Sequence, residues 1–284
     1  MMAAEEAVLI ACEGASLVGV LHRPTTAHQR ALIVVVGGPQ YRVGSHRQFV
    51  QLARSVAAAG TAVLRFDYRG LGDSDGAPRT FEGIAADIRS AIDFMLAAVP
   101  GVHEVALWGL CDAASALLMY GSTDSRVCGL ALCNPWVRTD ASLARAELKH
   151  YYGQRVFDVR RWLTLLREPR RFIAAISSVA QALTRAITGG TRADTGTSDA
   201  LDPFPVRMQA GWEGFTGPVL LVLSGEDLTA REFTDLTKQS TAWRRLLDRS
   251  ATTLQELGPA DHTFSTEQWR DQVALWTTQW LRSW

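Results

Sequence analysis

Three side chains able to take part in covalent acyl chemistry lie just beyond apolar runs in this sequence: the thiol of Cys111, the imidazole of His262 and the carboxylate of Asp227, with Glu226 beside the last. Cys111 stands where the apolar run 105–110 meets the small residues Gly109 and Ala113 and passes straight into a helix-forming segment. A thiol at such a corner faces the positive end of a helix dipole, and that field, with a nearby imidazole, favours the nucleophilic thiolate. Asp227 follows the run 219–224, and His262 follows a run ending at Leu257. Held together, a thiol, an imidazole and a carboxylate can attack an acyl carbonyl, move the proton and steady the imidazolium. Each residue also has an ordinary reading: Cys111 as an inert buried thiol, His262 as a hydrogen-bonded loop residue, Asp227 as a helix N-cap. His46 lies close enough to the turn Gly37-Gly38-Pro39 to meet a substrate, whereas His22, His28, His103 and His150 have no identifiable partner. Cys12, Cys128 and Cys133 lack comparable surroundings and read as structural.

The elements that must position these groups are legible from periodicity. Residues 7–12 and 16–22 read as a hairpin around Gly14. The continuous β-branched run 31–36 reads as a strand buried on both faces and stopped by Gly37-Gly38-Pro39. A helix over 46–59, a strand over 61–66, a helix over 80–99, the strand 105–108, a helix over 113–120 and a strand over 127–133 follow in alternation. Such alternation argues for right-handed βαβ crossovers in a mostly parallel sheet with helices on both faces. The pattern breaks between residues 138 and 211, where Arg-, Leu- and Trp-containing helical stretches replace strands. It resumes with strand 218–223, helix 231–248, strand 253–257 and a last helix over 266–284. The division is therefore a core of 1–137 and 212–284 carrying a helical insertion, 138–211.

Composition narrows the classes of function. With 284 residues, 47% of them apolar, the chain can bury a large core. Lys and Arg balance Asp and Glu at 29 each, so no basic field draws in nucleic acid. Four cysteines at spacings of neither a zinc ribbon nor a disulfide framework read as reduced thiols, and no metal or cofactor is expected. No signal-peptide pattern opens the chain and no apolar run is long enough to span a bilayer. A cytoplasmic protein without an integral membrane segment is the expectation. Residues 67–76 are glycine-rich but lack the lysine and spacing of a phosphate loop.

Taken together, the corner at Cys111 resembles the nucleophile elbow G-x-S-x-G of α/β-hydrolases, with Cys for Ser and Ala113 for the last Gly. The chain order Cys111, Asp227, His262 is that family's order of nucleophile, acid and base, and the resemblance covers nearly the whole chain outside the insertion. It implies an α/β-hydrolase fold with the insertion as a lid over the carboxyl edge of the sheet. It implies oxyanion donors from the Asp112 amide and from Gly38, or alternatively Gln40, since Pro39 has no N–H. The segment Asp67 to Ser74 resembles the family's D-x-R-G-x-G-x-S loop, a structural loop tied by Asp67 and Arg69. More narrowly, residues 35–49 and 108–115 resemble the first of two hydrolases associated with exosortase A systems. The resemblance implies an acyl hydrolase (thioesterase or esterase) or acyltransferase taking a small or carrier-bound acyl ester or thioester, with His46, Trp136, Trp162 and Trp212 around the substrate. The competing expectation is a non-catalytic homologue that binds a ligand or partner under the lid.

Overall fold

The computed structural model describes residues 4–25, 29–138 and 202–284. Strands β1 (Ala4–Cys12), β2 (Ala15–Arg23) and β3 (Arg30–Val35) precede helix α1 (Gln48–Ala58) and β4 (Ala62–Phe66). Then come α2 (Ala85–Ala98), β5 (Glu104–Leu110), α3 (Asp112–Tyr120) and β6 (Val127–Cys133). Beyond residue 202 lie α4 (Phe204–Gly214), β7 (Val219–Ser224), α5 (Leu228–Gln239), α6 (Thr241–Leu247), β8 (Thr252–Leu257) and α7 (Glu267–Leu281). The eight strands form one sheet in the order β1-β2-β4-β3-β5-β6-β7-β8. β1, β2 and β4 pair antiparallel, and every pair from β4 to β8 is parallel.

β3 shows why the apolar runs are unbroken. Its alternate side chains pass to opposite faces, and both faces are covered. Leu32, Val34 and Val36 join Phe49, Leu52 and Val56 of α1 and Val273 and Trp280 of α7 on one side. Ala31, Ile33 and Val35 join Ile88 and Ile92 of α2 and Leu117 of α3 on the other. Trp108 of β5 meets Phe49 edge to face at 5.5 Å, a geometry worth about 0.5–1.5 kcal/mol beyond the area buried. β5 thus lies deep in the sheet with helices above and below, and the chain leaves its carboxyl end at Cys111.

The expected mostly parallel sheet is what forms, with differences from the expected elements near its carboxyl-terminal part. The helix expected over 231–248 is two helices, α5 and α6, because Ser240 is extended and its hydroxyl caps α6 at the Trp243 amide. α5 starts earlier than expected, at Leu228, where Asp227 caps it. The stretches Met1–Val137 and Pro203–Trp284 form one compact unit. Most of the insertion expected over 138–211 lies outside the described residues. Its end does not: α4 packs on α3 within the core, so the core resumes before residue 212.

Candidate active site

The elbow is built by strand and helix meeting at very short range. An added Cβ at Gly109 would lie 2.9 Å from the Ala113 carbonyl carbon, so only glycine lets α3 sit against β5 there. Ala113 is fully buried at this contact, and its methyl group is accommodated. Between them Cys111 takes φ 63°, ψ −126°, a conformation that costs a non-glycine residue about 1–3 kcal/mol. The surroundings hold it: the Cys111 amide donates to the Cys133 carbonyl at 2.9 Å, and the Trp136 amide donates to the Cys111 carbonyl at 3.2 Å. Ser115 adds a hydroxyl bond to the Trp136 carbonyl at 2.6 Å. Trp136, expected beside the substrate, is tied to the elbow through its backbone.

Asp227 and His262 arrive on neighbouring loops that are laced together. The Gly225 amide donates to the Leu257 carbonyl and the Glu226 amide to the Ala260 carbonyl, each at 3.0 Å. His262 Nδ1 then bonds Asp227 Oδ2 at 2.8 Å. A carboxylate only accepts, so Nδ1 carries the proton and Nε2 is the nitrogen left for Cys111. Burial opposes a charged His262, but hydrogen bonds to Asp227 and Cys111 and their charges outweigh it and raise its pKa to about 10. Burial likewise opposes an ionised Asp227, and the His262 bond with the Thr229 and Ala230 amides holds its carboxyl below the usual range. One carboxylate thus both caps α5 and bonds the imidazole of His262. Glu226 is turned to Arg231 at 3.0 Å on the surface.

A model of the alpha/beta hydrolase family matches residues 32–275. The chain belongs to that family. An esterase of Pyrococcus furiosus, Pf2001, is similar to this alpha/beta hydrolase with a TM-score of 0.66 over 99% of this chain and 92% of that one, at 16% identity. Est1E from Butyrivibrio proteoclasticus, seen with ferulic acid, gives 0.62 over 97% and 98% at 15% identity. A dienelactone hydrolase of Anabaena variabilis gives 0.59 over 99% and 98% at 14%. Identities this low speak to the fold alone. Human Protein ABHD12B is 36% identical over 78 residues, 28% of this chain and only 20% of that protein.

The remaining expected site residues fall in different surroundings. His46 is exposed with φ 52°, its carbonyl accepts from Arg270 at 3.3 Å, and its charge acts on Asp261, the neighbour of His262. Gly38 and Asp112 are brought together directly, the Gly38 amide donating to Asp112 Oδ1 at 2.6 Å. Gln40 turns its side-chain oxygen to the Ser45 amide and Gln48 Nε2, each at 3.3 Å. Trp212 is corrected from pocket to core: it is 1% exposed and meets Trp243 edge to face at 5.9 Å, because α4 lies against α3. Trp162 lies outside the described residues. Among the described residues no group of three or more His, Cys, Asp or Glu could hold a metal ion, and no helix is long and apolar enough to cross a membrane.

Sequence reasoning missed Asn134 and Ser224. Asn134, fully buried at φ 45°, donates to Ser224 Oγ at 2.9 Å and to the His262 carbonyl at 3.0 Å, and accepts from the Ser224 amide at 2.8 Å. Ser224 Oγ donates to the Asp261 carbonyl at 2.9 Å. This clasp joins the ends of β6 and β7 to the histidine loop. The available signal was a polar residue ending each apolar strand run, where the next position would otherwise be buried and unpaired.

Proposed function

We propose that this alpha/beta hydrolase acts on ester or thioester carbonyls through a Cys111–His262–Asp227 triad and a covalent acyl-cysteine. One observation carries the reading: His262, fixed by Asp227 at 2.8 Å, lies close enough to Cys111, at a strained strand-to-helix corner, for that residue to help raise the imidazole's pKa. In this mechanism Cys111 Sγ gives its electron pair to the carbonyl carbon while the π pair moves onto oxygen. Collapse restores the carbonyl and breaks the bond to the leaving thiolate or alkoxide, which takes the proton from His262 Nε2. The freed imidazole then activates water, or another acceptor, to clear the acyl group. Structural neighbours named as esterases and a dienelactone hydrolase support a carbonyl substrate of ester type. A thiolate nucleophile also suits thioesters and transfer to an acceptor other than water. The resemblance of residues 35–49 and 108–115 to exosortase-associated hydrolases supports a role beside envelope and exopolysaccharide production.

One observation favours a second reading, a non-catalytic homologue: the Gly38 amide is already bonded to Asp112. Intact mass spectrometry after incubation with acyl thioesters and p-nitrophenyl esters separates the two. The enzyme reading expects an adduct of the acyl mass on the wild type and none on Cys111→Ala. Absence of an adduct from every donor would overturn it.

A further inference from the structure

The carboxyl of Asp112, the residue after Cys111, accepts from the amide of Gly38. Asp112 opens α3, so its amide and that of Ala113 belong to the N–H groups that a helix leaves without intrahelical partners. The acyl-transfer reading assigns the Asp112 and Gly38 amides to a substrate oxygen. In the structure the Gly38 amide is instead turned to the Asp112 carboxyl. The Gly38 amide reaches Oδ1 at 2.6 Å, and the Ala113 and Asp112 amides also favour the ionised form. Gly37 makes the room, since a Cβ there would lie 2.3 Å from Asp112 Oδ1. Burial pushes the Asp112 carboxyl up, opposed by those three amides and by the charge of His262. Tyr68 feels the same group: burial first, then the charges of Asp112 and Asp87, push its hydroxyl up to about 12. The carboxyl is thus partly desolvated and held by the Gly38 amide, with the charge of His262 also acting on it.

Resting on the acyl-transfer reading, we propose that Asp112 is an internal occupant of the oxyanion pocket, and that Cys111 is acylated only as the substrate carbonyl oxygen displaces its carboxylate from the Gly38 amide. During attack the C–S bond forms and the π pair moves onto the carbonyl oxygen. That oxygen then carries a full negative charge until the leaving group departs with the proton from His262. Two anionic oxygens cannot share one amide without repulsion, so the carboxylate must leave before the charge develops. Asp112 therefore restricts acylation to carbonyls that bind the pocket well enough to evict it, and acts as a specificity-determining residue.

The test compares Cys111 acylation by p-nitrophenyl acetate and by an acyl thioester in wild type and Asp112→Ala, with iodoacetamide alkylation of Cys111 as the reference. Alkylation builds no oxyanion and does not call on the pocket. Asp112→Ala should acylate at least about tenfold faster, a part of what one oxyanion donor is typically worth, while alkylation stays nearly constant. It should also melt lower, because α3 loses the acid at its first turn. Asp112→Asn keeps an acceptor for Gly38 without the charge, and serves if the alanine variant does not fold; it should be faster than wild type by a smaller factor. Unchanged or slower acylation in a folded variant, with the wild type still labelled, overturns the role of Asp112 and leaves the triad standing. A rise of acylation and alkylation by one common factor also overturns it, as a general charge effect. No adduct on either protein overturns both proposals together.

Discussion

Two clusters of charged side chains sit in loops at the carboxyl ends of the strands, and they differ in what they leave open. Beyond β4, Asp67 accepts the Arg42 amide at 2.6 Å and the Asp73 amide at 3.2 Å. Arg69 closes on Asp87 through Nε at 3.0 Å and a second guanidinium nitrogen at 2.9 Å, with its own amide on the same carboxylate at 2.9 Å. Arg69 and Asp87 are 5% and 0% exposed at the side chain. The fork is filled, and the cluster has nothing left to offer a ligand. Beyond β5, β7 and β8, the His262 side chain is 31% exposed, Cys111 lies near enough to raise its pKa, and Cys111 itself sits on strained backbone. The first arrangement locks a loop and the second keeps reactive atoms available at the cost of local stability.

Breaking this contrast should produce opposite signatures. The largest effect is expected from Asp227→Asn, which keeps a good N-cap for α5 but no longer fixes the tautomer of His262. Acylation of Cys111 should fall by about 10⁴-fold in a protein that still folds, with a melting temperature lowered only by the lost charge pairing to His262. A stopped-flow ester assay beside a thermal scan checks both halves, and a parallel collapse of stability would make Asp227 a purely structural residue. Asp87→Ala should do the reverse, costing about 3 kcal/mol by leaving the buried Arg69 with only Glu13 to pair it, while Cys111 still reacts once the protein is folded. Urea titration reads the first quantity. The smallest effect concerns pH. The folded His262 pKa, about 10, lies above its unfolded value, so the stabilisation from its pairing is complete below about pH 6.5 and is lost as pH rises to about 10. The stability gap between wild type and His262→Gln should therefore shrink from pH 6.5 to pH 10.5, and a gap that widens would reverse the assignment.

Much of the second cluster is legible in the sequence. Cys111, Asp227 and His262 each follow a strand run, and a parallel sheet delivers every such end to one edge. The Asp67–Arg69 loop is legible in the same way, from a local motif. The clasp of Asn134 with Ser224 is not, because its partners are 90 residues apart in the chain and meet only when β6 and β7 pair. Trp212 misleads for a related reason: an aromatic in an amphipathic stretch suits a pocket or a core equally, and only the packing of α4 on α3 chose the core.

The elbow itself shows where that division lies. By itself the sequence determined the strand, the corner, the helix and the placing of Cys111, Asp227 and His262 each after a strand, since these follow from periodicity, small residues and connection length. Only the tertiary structure decided that the Gly38 amide, 74 residues away along the chain, would meet the Asp112 carboxylate. Alternation within a segment sets its secondary structure, but the partner of a polar atom depends on which distant loop the sheet brings alongside it.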